Sequence, residues 1–587
     1  MKSRRSSSIF RAAPELRLPD VWDGGVRPAA RCPASVRSRS PSRDLACASA
    51  SCAGFPRLPV AVRGERAFAT AGVDACTAAF ARGVLRVVPR FGVAMREHNR
   101  EDGRRIGGTD DSTIVADYRY CLQSPGHPDS ASCVEHQSDF VPVIVLVADG
   151  ARVDTFTGDL SAFPALRRLR DEGGAHTVTT VFPSVTGPAY TPFLLGRFPG
   201  PVGIPGIRWY DRARTACGWP DHSRSYVGFQ FGRIDDDLDA GAPTIFELVP
   251  NSVGALSVVT RGLTPSRRYG TLTPRSAFRV ARTHFSGRPE QWLDIDREVL
   301  ETIPRRMRED RPDYVFAALA GIDKASHAFG HDSPLVHDAL HIVDATAARL
   351  RADAESGGWW ADTHLWIVSD HGHSAVRAHE DLAGIIAATG TRTIAHPWTV
   401  GLPPRAAVKV SGNAMAHVYV GLADLLLARE SVDLMLLPHS PTRCEVRSAS
   451  RGNAVVSRHG ASFRYERTTG DPLRHDADLS GSANETYDAL IGGEYPDAVV
   501  QILELAGSAR AGDIILSATP GWDFRARYEP IPHVSAHGGL HRDHMLVPLL
   551  TNRPPARRPR RTTDVFASTL AALGIPAPAH LDGESYV

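Results

Sequence analysis

Three apolar runs, each closing on an aspartate, restrict this chain more than any other feature: VPVIVLVADG carries Asp149, DYVFAALAGID ends on Asp323, and THLWIVSDHG carries Asp370. A run that is apolar at nearly every position reads as a strand covered on both faces, the situation of a parallel sheet sandwiched between helices. In an open sheet of that kind, ligands bind beyond the carboxyl ends of the strands. Aspartates far apart in the chain are therefore expected to meet at one edge of the sheet.

A length of 587 residues exceeds one ordinary core and suits a large α/β domain with an insertion. The apolar share of 42% and charged share of 22% are those of a soluble globular protein. A net charge of +2 offers no bulk electrostatic reason to bind a nucleic acid polymer or an anionic membrane, so a small-molecule partner is expected. No run reaches the ~20 apolar residues that a membrane-spanning helix requires. Near Met1, Ile9 and Phe10 stand isolated among Arg, Ser and Pro, without a signal-peptide core. A soluble, cytoplasmic protein is the expectation; oligomeric state is left open. Cys32, Cys47, Cys52, Cys76, Cys121 and Cys133 all precede the first apolar run, and only Cys217 and Cys444 follow it. Their spacing fits neither a disulfide framework nor a cysteine-type zinc site.

Residues 1–110 are rich in Arg, Ser, Pro and Ala and show no sustained period, which reads as a low-complexity, disordered N-terminal extension. A transit peptide is the lesser alternative. Strands and amphipathic helices alternate from Phe140 onward, so a catalytic α/β domain is expected over 111–405 and again over 529–587. Helices are predicted from Leu160 to Glu172, Leu293 to Met307 with a kink at Pro304, Val336 to Leu350, and over DVFASTLAAL. Between them, residues 406–528 change character. NAVVSRHGASFRYER reads as a hairpin turning at His459 and Gly460, with AHVYV and DIILSAT as further strands, together an α+β cap insertion.

Asp323 and His327 lie four apart, a spacing that lets both face one site at the start of a helix or in a tight loop. Taken alone, such a pair is more often a solvated helix face than a ligand set. Asp370 and His371 are adjacent, and neighbours in an extended strand point to opposite faces. They share a site only where the strand ends and turns, which Gly372 permits. His537 sits in SAHGGLHRDHMLVPLL, where a lone loop histidine would mean little. Together with Asp149 these residues make six imidazole and carboxylate donors. That mixture suits zinc, with manganese or iron second, whereas magnesium and calcium prefer all-oxygen shells. Six donors suffice for two divalent ions, and two ions about 4 Å apart clamp the attacking and leaving oxygens of an in-line displacement at phosphorus. Thr186, in VFPSVTGPAYTPFLLGRFPG, precedes Pro188 and an apolar run predicted as helix. Threonine there is first an N-cap, yet the same place puts a hydroxyl where a phosphate oxygen is welcome.

These motifs, in this order, resemble the alkaline phosphatase superfamily and within it the type I phosphodiesterase and nucleotide pyrophosphatase branch. The likeness runs through FPSVTGPAYTPFLLGRFPG, GIRWYDR, GIDKASHAFGH, VSDHGH and SAHGGLHRDHMLVPLL to HLDG, leaving out the N-terminal extension. It implies an alkaline-phosphatase-like, mainly parallel sheet flanked by helices. It implies one metal held by Asp323, His327 and His537, and another by Asp149, Asp370 and His371 with Thr186 beside it as nucleophile. In that family the metals are usually zinc, and a phosphothreonine forms and is hydrolysed. The function expected is therefore phosphoric ester hydrolysis, phosphodiesters first. A phosphomonoesterase, phosphonate hydrolase or phosphomutase is the nearest rival, and a non-catalytic metal-stabilised binding protein the rival of another class. Two positions depart from the pattern. Ala189 stands where relatives that cleave nucleotides commonly carry Asn to hold a phosphate oxygen, leaving the backbone N–H of Gly187 or the hydroxyl of Tyr190 as substitutes. Val185 stands where a basic residue often precedes the nucleophile. The Cys/Ser-x-Pro-x-Arg context of sulfatases is absent from the chain. Trp209 and Tyr210 are read as pocket lining or core.

Overall fold

Val143–Ala148 is buried along its whole length, and its side chains alternate between two separate cores. Ile144, Leu146 and Ala148 join Leu166, Val299, Ile303, Leu340 and Val343 on one face. Val143, Val145 and Val147 join Tyr190, Phe193, Val565 and Phe566 on the other. Because successive side chains of a strand point to opposite faces, this division places helices on both sides of the sheet. Each fully buried Val, Ile or Leu contributes roughly 1.5–3 kcal/mol, so these paired cores carry much of what holds the strand tips in place.

The structure is a computed structural model. It describes residues 140–212, 223–227, 230–270, 279–280, 282–284, 286–395, 405–419, 423–524 and 531–587. The expected extension over 1–110 and Cys217 lie outside the described residues. Pro128–Val587 forms one compact unit. Its central sheet has seven strands, in the spatial order Ala175–Thr179, Leu546–Thr551, His364–Val368, Val143–Ala148, Tyr314–Leu319, Ser252–Ala255, Arg268–Tyr269. Every pairing from His364–Val368 to Arg268–Tyr269 is parallel, and Leu546–Thr551 runs antiparallel to both its neighbours. This is the mainly parallel α/β fold expected. Register brings the carboxyl ends level: Ala148 faces Leu319, and Val147 faces Val368.

The helices of the first core are Pro164–Gly173, Glu290–Asp310, which runs on through Pro304, and Pro334–Ser356. Thr563–Ala572 covers the other face. A second, nine-stranded sheet begins with Thr393–Ile394 and Ala406–Ser411 and includes Ile514–Ala518. Apart from its first, parallel pair it is antiparallel throughout. Gly452–His459 and Ser462–Gly470 form the hairpin read from the sequence, with Gly460 at φ 62° in its turn. Trp209 is wholly buried and donates from Nε1 to Tyr226 at 3.0 Å, while Tyr210 packs its ring 5.5 Å from that of Tyr419, so both are core residues. Among the described residues no helix is long and apolar enough to cross a membrane.

Candidate metal and phosphoryl-transfer site

The strand Val143–Ala148 stops one residue short of Asp149, whose N–H donates to Leu319 O at 3.1 Å, so its carboxylate stands at the sheet edge. The strand His364–Val368 likewise ends before Asp370 and His371, and the chain bends at Asp370, as the adjacent pair requires. Asp323 is set differently. It lies in the first turn of the helix Gly321–Phe329, with His327 one turn later on the same side. The start of that helix is gripped by Asp296, which accepts from Ala320 N at 2.9 Å and Gly321 N at 2.7 Å. Burial raises the Asp296 carboxyl to about 7, against the pull of those two N–H donors. A small three-stranded sheet delivers the last donor. Ser374–His379, just beyond His371, pairs antiparallel with Ser535–Ala536, and the backbone of His537 bridges to Asn413 at the turn of the second sheet.

All seven residues singled out from the sequence converge. Thr186 Oγ1 lies 3.1 Å from His371 Nε2 and 3.3 Å from Asp149 Oδ1. His371 Nε2 is 3.3 Å from Asp149 Oδ1 and 3.5 Å from Asp370 Oδ2. Around Asp323 Oδ1 stand His327 Nε2 at 3.1 Å and His537 Nε2 at 3.5 Å. The two halves touch, since the rings of His371 and His537 stack 3.6 Å apart at 4°. The six acids and imidazoles are buried, whereas Thr186 is half-buried. The cap reading of Thr186 needs correction. Gly187, at φ 99°, occupies the cap of the 3-10 turn Pro188–Tyr190, and the threonine hydroxyl faces the acids instead. A Cβ added at Gly187 would meet only Val258, at 3.9 Å, so the backbone next to Thr186 is loosely packed on that side. At Gly150 the opposite holds: a Cβ there would lie 2.9 Å from His373 Nε2 and 3.0 Å from Asp323, and only glycine lets these elements close.

His373 is the residue that sequence reasoning missed. Its Nε2 lies 2.9 Å from Asp323 Oδ1, and its ligating atom falls within 4.8 Å of those of Asp323, His327 and His537. The available signal was the second histidine of SDHGH, two positions after His371, because residues two apart in extended chain share a face. His533 was missed as well; its ring packs 4.2 Å from that of His327.

The donor chemistry fits bound metal cations. His327 Nδ1 lies 2.8 Å from Ser535 O, and His537 Nδ1 lies 2.8 Å from Ser184 O. A carbonyl only accepts, so each Nδ1 carries the proton and each Nε2 lone pair is left facing a carboxylate. Lone pair against carboxylate is repulsive unless a cation lies between them. Asp370 Oδ2 is likewise buried without a hydrogen-bond partner among the described residues. Electrostatics agree. Burial and the Asp149 charge push the Asp370 carboxyl well above the usual range. Burial also pushes Asp323 upward, but the adjacent Lys324 ammonium leads the effects that outweigh it and hold that carboxyl well below its usual range. Burial depresses His537 and His373 strongly. At His371 burial is overcome by Asp370 and Asp149, which raise the imidazole to about 9.

A proton on His371 Nε2 competes with a metal for the same lone pair, so metal affinity at this half is lost as pH falls below about 9. Competition titration against a chromophoric chelator is expected to show affinity rising about tenfold per pH unit and levelling above about 9. A flat profile over that range would remove His371 from the donor set.

The model of the type I phosphodiesterase / nucleotide pyrophosphatase family matches residues 143–540, more than half of the chain. The chain belongs to this family. It is a metal-dependent phosphoester hydrolase of the alkaline phosphatase superfamily, with a buried Asp/His cluster able to hold metal ions. Similar solved structures include phosphonoacetate hydrolase from Sinorhizobium meliloti 1021 in complex with phosphonoformate, at 16% identity over 74% of this chain and 95% of that one, TM-score 0.46. Human ectonucleotide pyrophosphatase / phosphodiesterase 5 matches at 16% identity over 76% and 97% of the two chains, TM-score 0.47. Its murine counterpart in complex with AMP matches at 16% over 75% and 96%, TM-score 0.43. No curated protein sequence matches the chain.

Proposed function

We propose that this chain hydrolyses phosphoric esters, phosphodiesters first, through a covalent phosphothreonine on Thr186. The observation that carries the reading is the half-buried Thr186 hydroxyl lying 3.1 Å from His371 and 3.3 Å from Asp149. Asp149, Asp370 and His371 would hold one divalent ion, and Asp323, His327 and His537 the other; the imidazole–carboxylate mixture favours zinc over manganese. When bound, such ions lower the pKa of a neighbouring hydroxyl and offset charge developing on phosphoryl oxygens. Thr186 Oγ attacks phosphorus, the new O–P bond forms, and the bond to the leaving group breaks with its electron pair on the departing oxygen, which takes up through solvent the proton that Thr186 loses and leaves as the alcohol. Water then attacks the phosphothreonine from the vacated side and restores the hydroxyl. Asp296 fixes the start of the helix that carries Asp323 and His327, and Ser535 O and Ser184 O orient the His327 and His537 rings, so these groups are positioned before substrate arrives.

The test is a panel of nitrophenyl phosphate, bis-nitrophenyl phosphate and nitrophenyl phosphonate, assayed before and after chelation with metal analysis alongside. Turnover lost on chelation and restored by zinc supports the reading. Turnover indifferent to chelator overturns it.

A further inference from the structure

Lys324 follows Asp323 on the helix Gly321–Phe329 and bends back over the cluster, bringing Nζ to 2.5 Å from Asp323 Oδ2. The ammonium also lies 5.6 Å from the centre of the Trp292 ring. Its side chain is 29% exposed, against 0% for Asp323, so it reaches both the buried acids and the open side of the site. As the cluster stands, Lys324 is the counter-ion of Asp323. A divalent ion on that carboxylate takes over this task and leaves the ammonium for an anion seated above the site.

Charge and geometry then select the anion. Two divalent ions exceed the three carboxylates Asp149, Asp323 and Asp370 by one positive charge, and Lys324 adds a second. A monoester or phosphonate dianion neutralises both charges, whereas a diester monoanion leaves one uncompensated. The position at which family relatives offer a side-chain amide is no help, because Ala189 is wholly buried among Phe182, Phe198 and Met415. Tyr190 is buried as well, with its ring 5.2 Å from that of Phe316.

We propose that Lys324 binds a non-bridging oxygen of the transferred phosphoryl group and extends the site from diesters to dianionic phosphoryl groups, namely monoesters, phosphonates and inorganic phosphate. The proposal rests on the two-ion phosphoryl-transfer reading above. A compact ammonium is a point donor whose attraction grows with the charge it meets, which is why it separates dianion from monoanion.

The zinc-loaded full chain and its Lys324→Ala variant are compared for kcat/KM on nitrophenyl phosphate and bis-nitrophenyl phosphate, for inorganic phosphate affinity by calorimetry, and for metal content. Phosphate affinity and monoester kcat/KM are expected to fall roughly 10- to 100-fold, the diester several-fold less, with metal content unchanged and partial recovery in Lys324→Arg. Equal losses on both esters, unchanged phosphate affinity, or loss of metal from the variant would each overturn it; in the last case Lys324 merely holds Asp323. If the unsubstituted chain turned over neither ester, the hydrolase reading would fail. Phosphate affinity would then still decide the role of Lys324.

Discussion

Thr186→Ala is expected to lower kcat/KM by roughly 10⁴-fold or more while leaving the metal content intact. The side chain is half-buried at the edge of a cluster whose other members are buried, so its loss opens no core cavity, and stability should change by no more than about 1 kcal/mol. What disappears is the one hydroxyl within 3.1 Å of His371 and 3.3 Å of Asp149. Thr186→Ser keeps that hydroxyl at the cost of a methyl group and should retain measurable turnover. Rapid acid quenching with labelled substrate distinguishes the variants further, since label should stay with the threonine and serine proteins and not with the alanine one. Undiminished turnover in Thr186→Ala would exclude a phosphothreonine.

Asp323→Ala should be nearly as severe, for a different reason. One carboxylate oxygen receives His373 at 2.9 Å, His327 at 3.1 Å and His537 at 3.5 Å, while the other holds Lys324 at 2.5 Å. Removing it leaves three imidazoles and an ammonium without an anion at a place where a dication is to be bound. Metal affinity at this half is expected to fall more than about 100-fold, with the protein isolated one metal equivalent short. Activity should fall about 10³-fold or more, because an ion at phosphorus is worth several kcal/mol of charge stabilisation. Metal analysis after dialysis against a weak chelator, with Asp323→Asn as the isosteric control, measures the effect. Full metal content in both variants would show that Asp323 is not a ligand.

The strands that frame this site were legible because they are buried on both faces and so read as unbroken apolar runs, and their aspartates mark where the runs end. Helices with strong apolar periodicity, such as Pro334–Ser356, were legible for a related reason: one face must meet the sheet. Thr186 was picked out from its motif, but its role as a cap was wrong. Local sequence does not reveal that Gly187 takes the cap and frees the hydroxyl. His373 escaped notice because a histidine two positions from a known candidate has no meaning until the strand it begins is paired with Ser535–Ala536.

Residue order thus settled the class of fold, the donor types and the chemistry they suit, since burial pattern and ligand softness are properties of local composition. Which imidazole nitrogens carry protons, which side chains share one carboxylate oxygen, and which cation faces the open side arose from packing. Those relations depend on carbonyls, glycines and sheet edges that are up to several hundred positions away along the chain, and such contacts exist only once the chain has closed on itself.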